Sequence, residues 1–214
     1  MKGDRTMIVP SFRKLILGST LTALCLGATW MLPYSTPVQA ASPSHPTGQN
    51  DAGKVPEYIS DMAGIKFKKP APDWQVLDSG PELVQRILCL PPGETLSPFS
   101  PRLVILVYPA SAVVGGMEFR RQQVSTVTAE GKVKLTQLKF ENSSMAGKDA
   151  VLYSYDLEFQ TPIHTVEYGF VNQGNFYVVQ IAAVASEWEK PEFTAMMDKA
   201  LKSVGFVKIP NLNK

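Results

Sequence analysis

The sequence predicts an α+β fold, an antiparallel β-sheet with helices packed on it. Three observations carry the prediction. Residues 151–184 read as three successive strands, Val151–Phe159, Ile163–Val171 and Phe176–Val184, joined by short turns. Upstream, Leu103 to Tyr108 is an apolar run of strand length with no polar face, which marks a strand covered on both sides. Downstream, Phe193, Met196, Met197, Ala200, Leu201 and Val204 recur at helical spacing as one broad stripe.

The 214 residues suffice for one or two domains with a sizeable core. The first 40, however, read as a targeting segment. Lys2, Arg5, Arg13 and Lys14 form a basic start, and Leu15 to Leu32 is apolar, interrupted by Gly18 and Gly27. Pro33 ends the run, and Val38-Gln39-Ala40 places small residues at −3 and −1 of a cleavage site before Ala41. Residues 1–40 are therefore expected to be a secretory signal peptide. An uncleaved anchor is the alternative, because the run approaches the roughly 20 residues that span a bilayer. Lipidation at Cys25 is disfavoured by Leu24, where a small residue is needed.

Without residues 1–40 the formal charge of +2 becomes −1, so the basic character belongs to the targeting segment. No Lys/Arg block remains to support nucleic-acid binding. One cysteine is left, Cys89, so no intrachain disulfide forms and the fold must rest on its core. Flanked by Leu88 and Leu90, Cys89 reads as a buried, inert thiol.

Residues 41–57 are rich in Ser, Pro, Gly, Gln and Asn and read as a flexible linker. A single folded unit is expected over 58–208, with 209–214 as a tail. Ile65–Lys68 alternates as a strand, Pro70–Asp73 turns, and Trp74–Leu77 follows as a second strand. Leu83–Leu90 fits a helical turn leading into a strand that stops at Pro91. Pro91 to Pro101 holds four prolines and must be a loop, since proline lacks the donor and fixes φ.

After the strand ending at Pro109, Ser111 is a candidate cap. Met117, Arg121, Val124 and Val127 or Thr128 trace one helical stripe, with Gly131 past its end. Glu118, Arg120, Arg121 and Gln123 then mostly form a solvated face. Lys132–Phe140 reads as a strand with Glu141–Ser144 as its exit turn. The last element runs from Ser186, a candidate cap, to Ser203, stopped by Gly205 and followed by a short extended segment from Phe206 to Ile209.

Within the meander, an apolar face on both strands selects a register with Phe159 opposite His164, Tyr155 opposite Tyr168 and Tyr153 opposite Phe170. A two-residue Gln173-Gly174 turn then sets Phe170 opposite Tyr177 and Tyr168 opposite Val179. The first of these registers places Asp156 directly across from Glu167, with Glu158 nearby. Directly opposed like charges destabilise a strand pair. A neighbouring lysine or a divalent cation must neutralise them, which makes Asp156, Glu158 and Glu167 the candidate metal ligands.

Four stretches together resemble the PsbP-like family, which covers extrinsic photosystem II accessory proteins and the related DcrB-like bacterial envelope proteins. Phe67-Lys68-Lys69-Pro70 through Asp73-Trp74-Gln75-Val76 is similar to the family's opening hairpin. Leu103 to Pro109 followed by Met117-Glu118-Phe119 is similar to its central strand and first helix. Met145-Ala146-Gly147-Lys148-Asp149-Ala150 with Tyr153 looks like its small-Gly turn, and Phe193 through Ser203-Val204-Gly205-Phe206 like its closing helix. The resemblance spans roughly 58–208 and implies an α/β/α sandwich with mostly non-catalytic, exported accessory roles. The residues by which photosystem members bind partner or metals do not stand out, so a photosynthetic role is not supported.

No catalytic signature is present: no Gly-x-Ser-x-Gly, phosphate loop or His-Glu-x-x-His occurs, and there are only two histidines, His45 and His164. The expected function is that of an exported, non-enzymatic accessory protein, without cofactor, that binds another protein of the cell envelope. Pro98, Phe99 and Pro101 are the candidate contacts, because a proline-stiffened loop loses little entropy on binding. The alternatives are a small-ligand or lipid carrier, with a pocket between the sheet and the C-terminal helix near Met196 and Met197, and a hydrolase.

Overall fold

The computed structural model describes residues 55–79 and 84–207. The expected signal peptide, nearly all of the linker and the tail lie outside these residues. Among the described residues no helix is long and apolar enough to cross a membrane.

Seven strands form one antiparallel sheet: β3 (Gln75–Ser79), β4 (Gln85–Leu90), β5 (Arg102–Pro109), β6 (Lys134–Met145), β7 (Lys148–Glu158), β8 (Ile163–Asn172) and β9 (Asn175–Val184). Their order across the sheet is β3-β4-β5-β9-β8-β7-β6. A second, three-stranded sheet joins β1 (Glu57–Ser60), β2 (Ile65–Lys68) and β10 (Gly205–Phe206), with β2 central. The helices are α1 (Met117–Glu130), the short α2 (Ala185–Trp188) and α3 (Pro191–Lys202).

The apolar run of β5 is central for the expected reason, since both of its faces are covered. Leu103, Ile105 and Val107 join Tyr177, Val179 and Ile181 of β9 in the main core, where Phe193, Met197 and Ala200 of α3 and Ile65 and Phe67 of β2 pack on them. Tyr177 seals this layer by donating its hydroxyl to the Ala63 carbonyl (2.8 Å). Its ring lies stacked on Phe170 at 5.4 Å, which is the cross-strand pair that the Gln173-Gly174 turn predicts. The opposite face carries α1, whose buried residues are Met117, Arg120, Val124 and Thr128. Helix, sheet, then helix with the small sheet make three layers, the predicted α/β/α sandwich.

Several expectations need correction. Ile65–Lys68 and the strand after Trp74 are not a hairpin, because β2 belongs to the small sheet and β3 to the large one. Residues 141–144 do not turn; β6 continues through them to Met145, and the reversal falls on Ala146 and Gly147, both at positive φ. β6 is the outermost strand, so an exposed polar stretch suits it. The last helix is broken. Pro191 lacks the N–H that a continuous helix needs and instead starts α3 at its first turn, a position it favours. Ser186 lies within α2, after Val184. Ser111 caps nothing, as α1 starts after Gly116.

The β8–β9 register is as predicted, but the β7–β8 register is shifted. Tyr155 faces Thr165, Tyr153 faces Glu167 and Asp156 faces His164. The shift is by an odd number of residues, so it exchanges the faces of β8. Alternation had no power to choose here, because β8 buries residues on both sides, Ile163 and Thr165 on one and Phe170 on the other.

Candidate binding surface

The Pro91–Pro101 loop is built around a buried cation. Arg102 opens β5 and is 3% exposed. Its Nη1 donates to the carbonyls of Pro98 (2.8 Å), Ser97 (3.1 Å) and Ser100 (3.1 Å). Three carbonyls turned toward one guanidinium oblige the chain to wrap it. Burial pushes this guanidinium down to about 10, against the nearby Tyr155, so it remains a cation at neutral pH.

Further polar bonds fix the rest of the loop. The Ser100 hydroxyl donates to Glu94 Oε2 (2.9 Å), and Gln75 of the edge strand β3 donates to the Glu94 carbonyl (2.6 Å). Ser100 is buried and Ser97 half-buried, while Leu96 is 44% and Phe99 42% exposed beside the exposed Glu94 and Thr95. Pro98 and Pro101 are half-buried and fix φ on either side of Phe99. The Phe99 ring stands edge-on to Phe159 at 6.1 Å, so the β4–β5 and β7–β8 connections meet at one end of the sheet.

The three nominated acids are not brought together. Asp156 Oδ1 and His164 Nδ1 are hydrogen-bonded at 2.6 Å, and the Trp188 indole donates to the His164 carbonyl (3.1 Å). Glu158 pairs with Lys134 across β6 and β7 at 2.6 Å. Glu167 lies on the opposite face, fully buried beneath α1. The cation site drawn from the predicted register therefore loses its geometry. No group of three or more His, Cys, Asp or Glu side chains able to hold a metal occurs among the described residues.

Glu167 instead centres a buried polar network. Arg120 grips its carboxylate with two bonds, Nε to Oε2 at 3.0 Å and Nη2 to Oε1 at 2.8 Å. The Tyr155 hydroxyl (2.9 Å) and the Gln180 amide (2.6 Å) also donate to Oε1. Burial lowers the Arg120 guanidinium, but the charge and hydrogen bonds of Glu167 outweigh it, and the net direction is upward. Burial and the same carboxylate drive the Tyr155 hydroxyl well above its ordinary value.

The helical stripe through Arg121 puts Arg120 on a solvated face, whereas it is 7% exposed. Residues 120 and 121 both lie one turn from Met117 and Val124, so spacing admitted either as the inward one. The available signal was Glu167 on a central strand, which needs a counter-charge once buried.

The helix face expected to line a pocket beside Met196 and Met197 belongs to the main core, with Met196 partly buried against it. Phe193, Met197 and Ala200 are at most 4% exposed and fill the main core. Cys89 is wholly buried, and burial pushes its thiol up to about 12, against the charge of Lys69. His164 hydrogen-bonds through its ring only to Asp156 among the described residues, so no nucleophile is placed on it.

No family model matches the chain, and no curated protein matches it by sequence. Solved structures do. The solution structure of cyanobacterial PsbP (CyanoP) from Synechocystis aligns with a TM-score of 0.54 at 12% identity, over 76% of this chain and 99% of that one. A protein of unknown function from Pseudomonas aeruginosa aligns with a TM-score of 0.42 at 13% identity, over 64% and 99%. LpqN, involved in cell envelope biogenesis of Mycobacterium tuberculosis, aligns with a TM-score of 0.41 at 12% identity, over 71% and 91%. The first of these likenesses shows the fold: the chain has the PsbP-like sandwich.

Proposed function

We propose that the protein is an exported, non-enzymatic accessory protein that binds another protein of the cell envelope through the loop end of its large sheet. The observation that carries this reading is the Arg102-anchored loop, which turns Leu96 and Phe99 outward. A loop already held in one conformation loses little entropy on docking. An aromatic side chain on a rigid support is the usual form of an interface anchor. Export is supported by the basic and apolar segments within residues 1–40 and by the small residues before Ala41. The accessory role is in keeping with the PsbP-like fold, and the complementary surface on the partner is an apolar recess that accepts the Phe99 ring.

The test is recovery of the partner from an envelope fraction with wild-type protein and with a Leu96→Ser/Phe99→Ser variant. Both side chains are partly exposed, but Phe99 also packs on Phe159, so the variant stays folded with a modestly lowered thermal midpoint. Loss of recovery from a variant that remains folded at the assay temperature is the expected result. Undiminished recovery rejects this surface.

A further inference from the structure

An open groove of about 540 Å³ runs between α1 and the edge strand β6. That volume lies within the roughly 300–1,000 Å³ of small-molecule sites. The helix contributes Arg121, Gln122, Ser125 and Thr126, with Glu118 at its start; β6 contributes Leu135 and Gln137. Tyr153 of β7 forms the floor.

Tyr153 is the informative residue. It is 0% exposed, and its hydroxyl has no hydrogen-bond partner among the described residues. Tyr155, two residues on, uses its hydroxyl on Glu167. The Tyr153 ring packs against Phe140, edge-on at 5.7 Å, and against Tyr155 at 4.6 Å. Buried polar groups are hydrogen-bonded as a rule, and one left open at the floor of a groove points to a ligand.

The walls define the chemistry of that ligand. Arg121 is held by both carboxylate oxygens of Glu118, with Nε to Oε2 at 3.0 Å, and lies over the Phe140 ring at 5.4 Å. The two charges that line the groove therefore satisfy each other, and a charged ligand would have to break the pair. Leu135 is the one aliphatic wall, too little for a lipid chain. Gln122, Gln137, Ser125 and Tyr153 all donate and accept, as sugar hydroxyls do.

We propose that the groove binds a neutral, multiply hydroxylated ligand of the saccharide class between the Gln122 and Gln137 amides, and that the Tyr153 hydroxyl, covered in the free protein, becomes its deepest contact as the side chains over it part. Its lining shares no residue with the loop surface, so the two readings stand or fall separately.

The test titrates the full chain with maltotetraose and with chitotetraose, which differ in their amide groups, and with tetraalanine as a peptide, following backbone amide resonances. At least one sugar gives saturable shifts at Gln122, Ser125 and Gln137, with Kd on the order of 1 mM or tighter. Tyr153→Phe removes only the hydroxyl and weakens that sugar about fivefold or more at an unchanged melting temperature. The exposed Gln137→Ala variant weakens it in the same direction. Absence of saturation by either sugar, shifts confined elsewhere, equal binding by Tyr153→Phe, or tighter binding of tetraalanine overturns the proposal.

Discussion

Removing the Glu167 carboxylate is the most severe single change that the structure foresees outside the main core. Glu167 accepts four hydrogen bonds at 2.6–3.0 Å, two from Arg120 and one each from Tyr155 and Gln180. Glu167→Ala leaves Arg120, itself 7% exposed, as a buried cation without its counter-charge. Breaking such a pair from one side costs about 3–5 kcal/mol. The Tyr155 hydroxyl and Gln180 amide lose their acceptor as well, so the upper part of that range is expected. Replacing both charges, as in Arg120→Met/Glu167→Ala, removes the stranded ion and leaves only the two neutral donors, at about 1–3 kcal/mol each if unsatisfied. The double variant is thus less destabilised than the two single changes together by about 3 kcal/mol or more. Urea denaturation of the four proteins gives the cycle directly. Additive single effects, or a Glu167→Ala cost below about 1 kcal/mol, refute a buried, coupled pair beneath α1.

Gly169 sits where a Cβ would overlap the Met117 thioether and approach Phe176 Cζ at 3.1 Å. Gly169→Ala should cost about 1–3 kcal/mol through overpacking, and less in a Met117→Ala background; equal costs in thermal melts contradict the contact. Arg102→Gln withdraws the donor from three loop carbonyls, so amides of residues 94–100 should exchange faster, with about 2–4 kcal/mol lost overall; unchanged protection of Ser100 counts against the anchor. Alkaline pH should weaken the fold. Burial pushes the Cys89 thiol up to about 12, and burial with the Glu167 charge pushes the Tyr153 hydroxyl up to about 12, from ordinary values of 9.0 and 10.0. Both groups ionise first in the unfolded chain, so their contribution is intact below those ordinary values and is lost as pH rises toward 12. The loss is up to about 1.4 kcal/mol per pH unit for each group. A urea midpoint unchanged from pH 8 to pH 11 contradicts this.

Patterns that bury one face of an element were legible in the sequence. The α3 stripe, the double-covered β5 and the β8–β9 turn each presented one solution, and each is found. Where two solutions shared a pattern, tertiary contacts decided. β8 buries both faces, so its pairing with β7 was set not by alternation but by the placing of Glu167 opposite Arg120. The same choice moved Arg120 from the surface to the interior and separated Asp156 from Glu167, which removed the predicted acidic cluster. The small sheet was only partly legible: β1 and β10 are four and two residues long, too short for a period to register. The proline loop was visible as a loop. Its anchor was not, because an Arg beside a proline run gives no sign of which carbonyls it will gather.

The proposed binding surface is tested most directly by a photo-crosslinking residue placed at position 99 of the protein produced in its own cell, with position 114 as the control. Val114 is 88% exposed and follows the far end of β5, so it samples the opposite end of the sheet. A discrete adduct with another envelope protein from position 99, and none from 114, is the predicted result. No adduct from position 99, or the same adduct from both positions, contradicts a partner bound at the Phe99 loop.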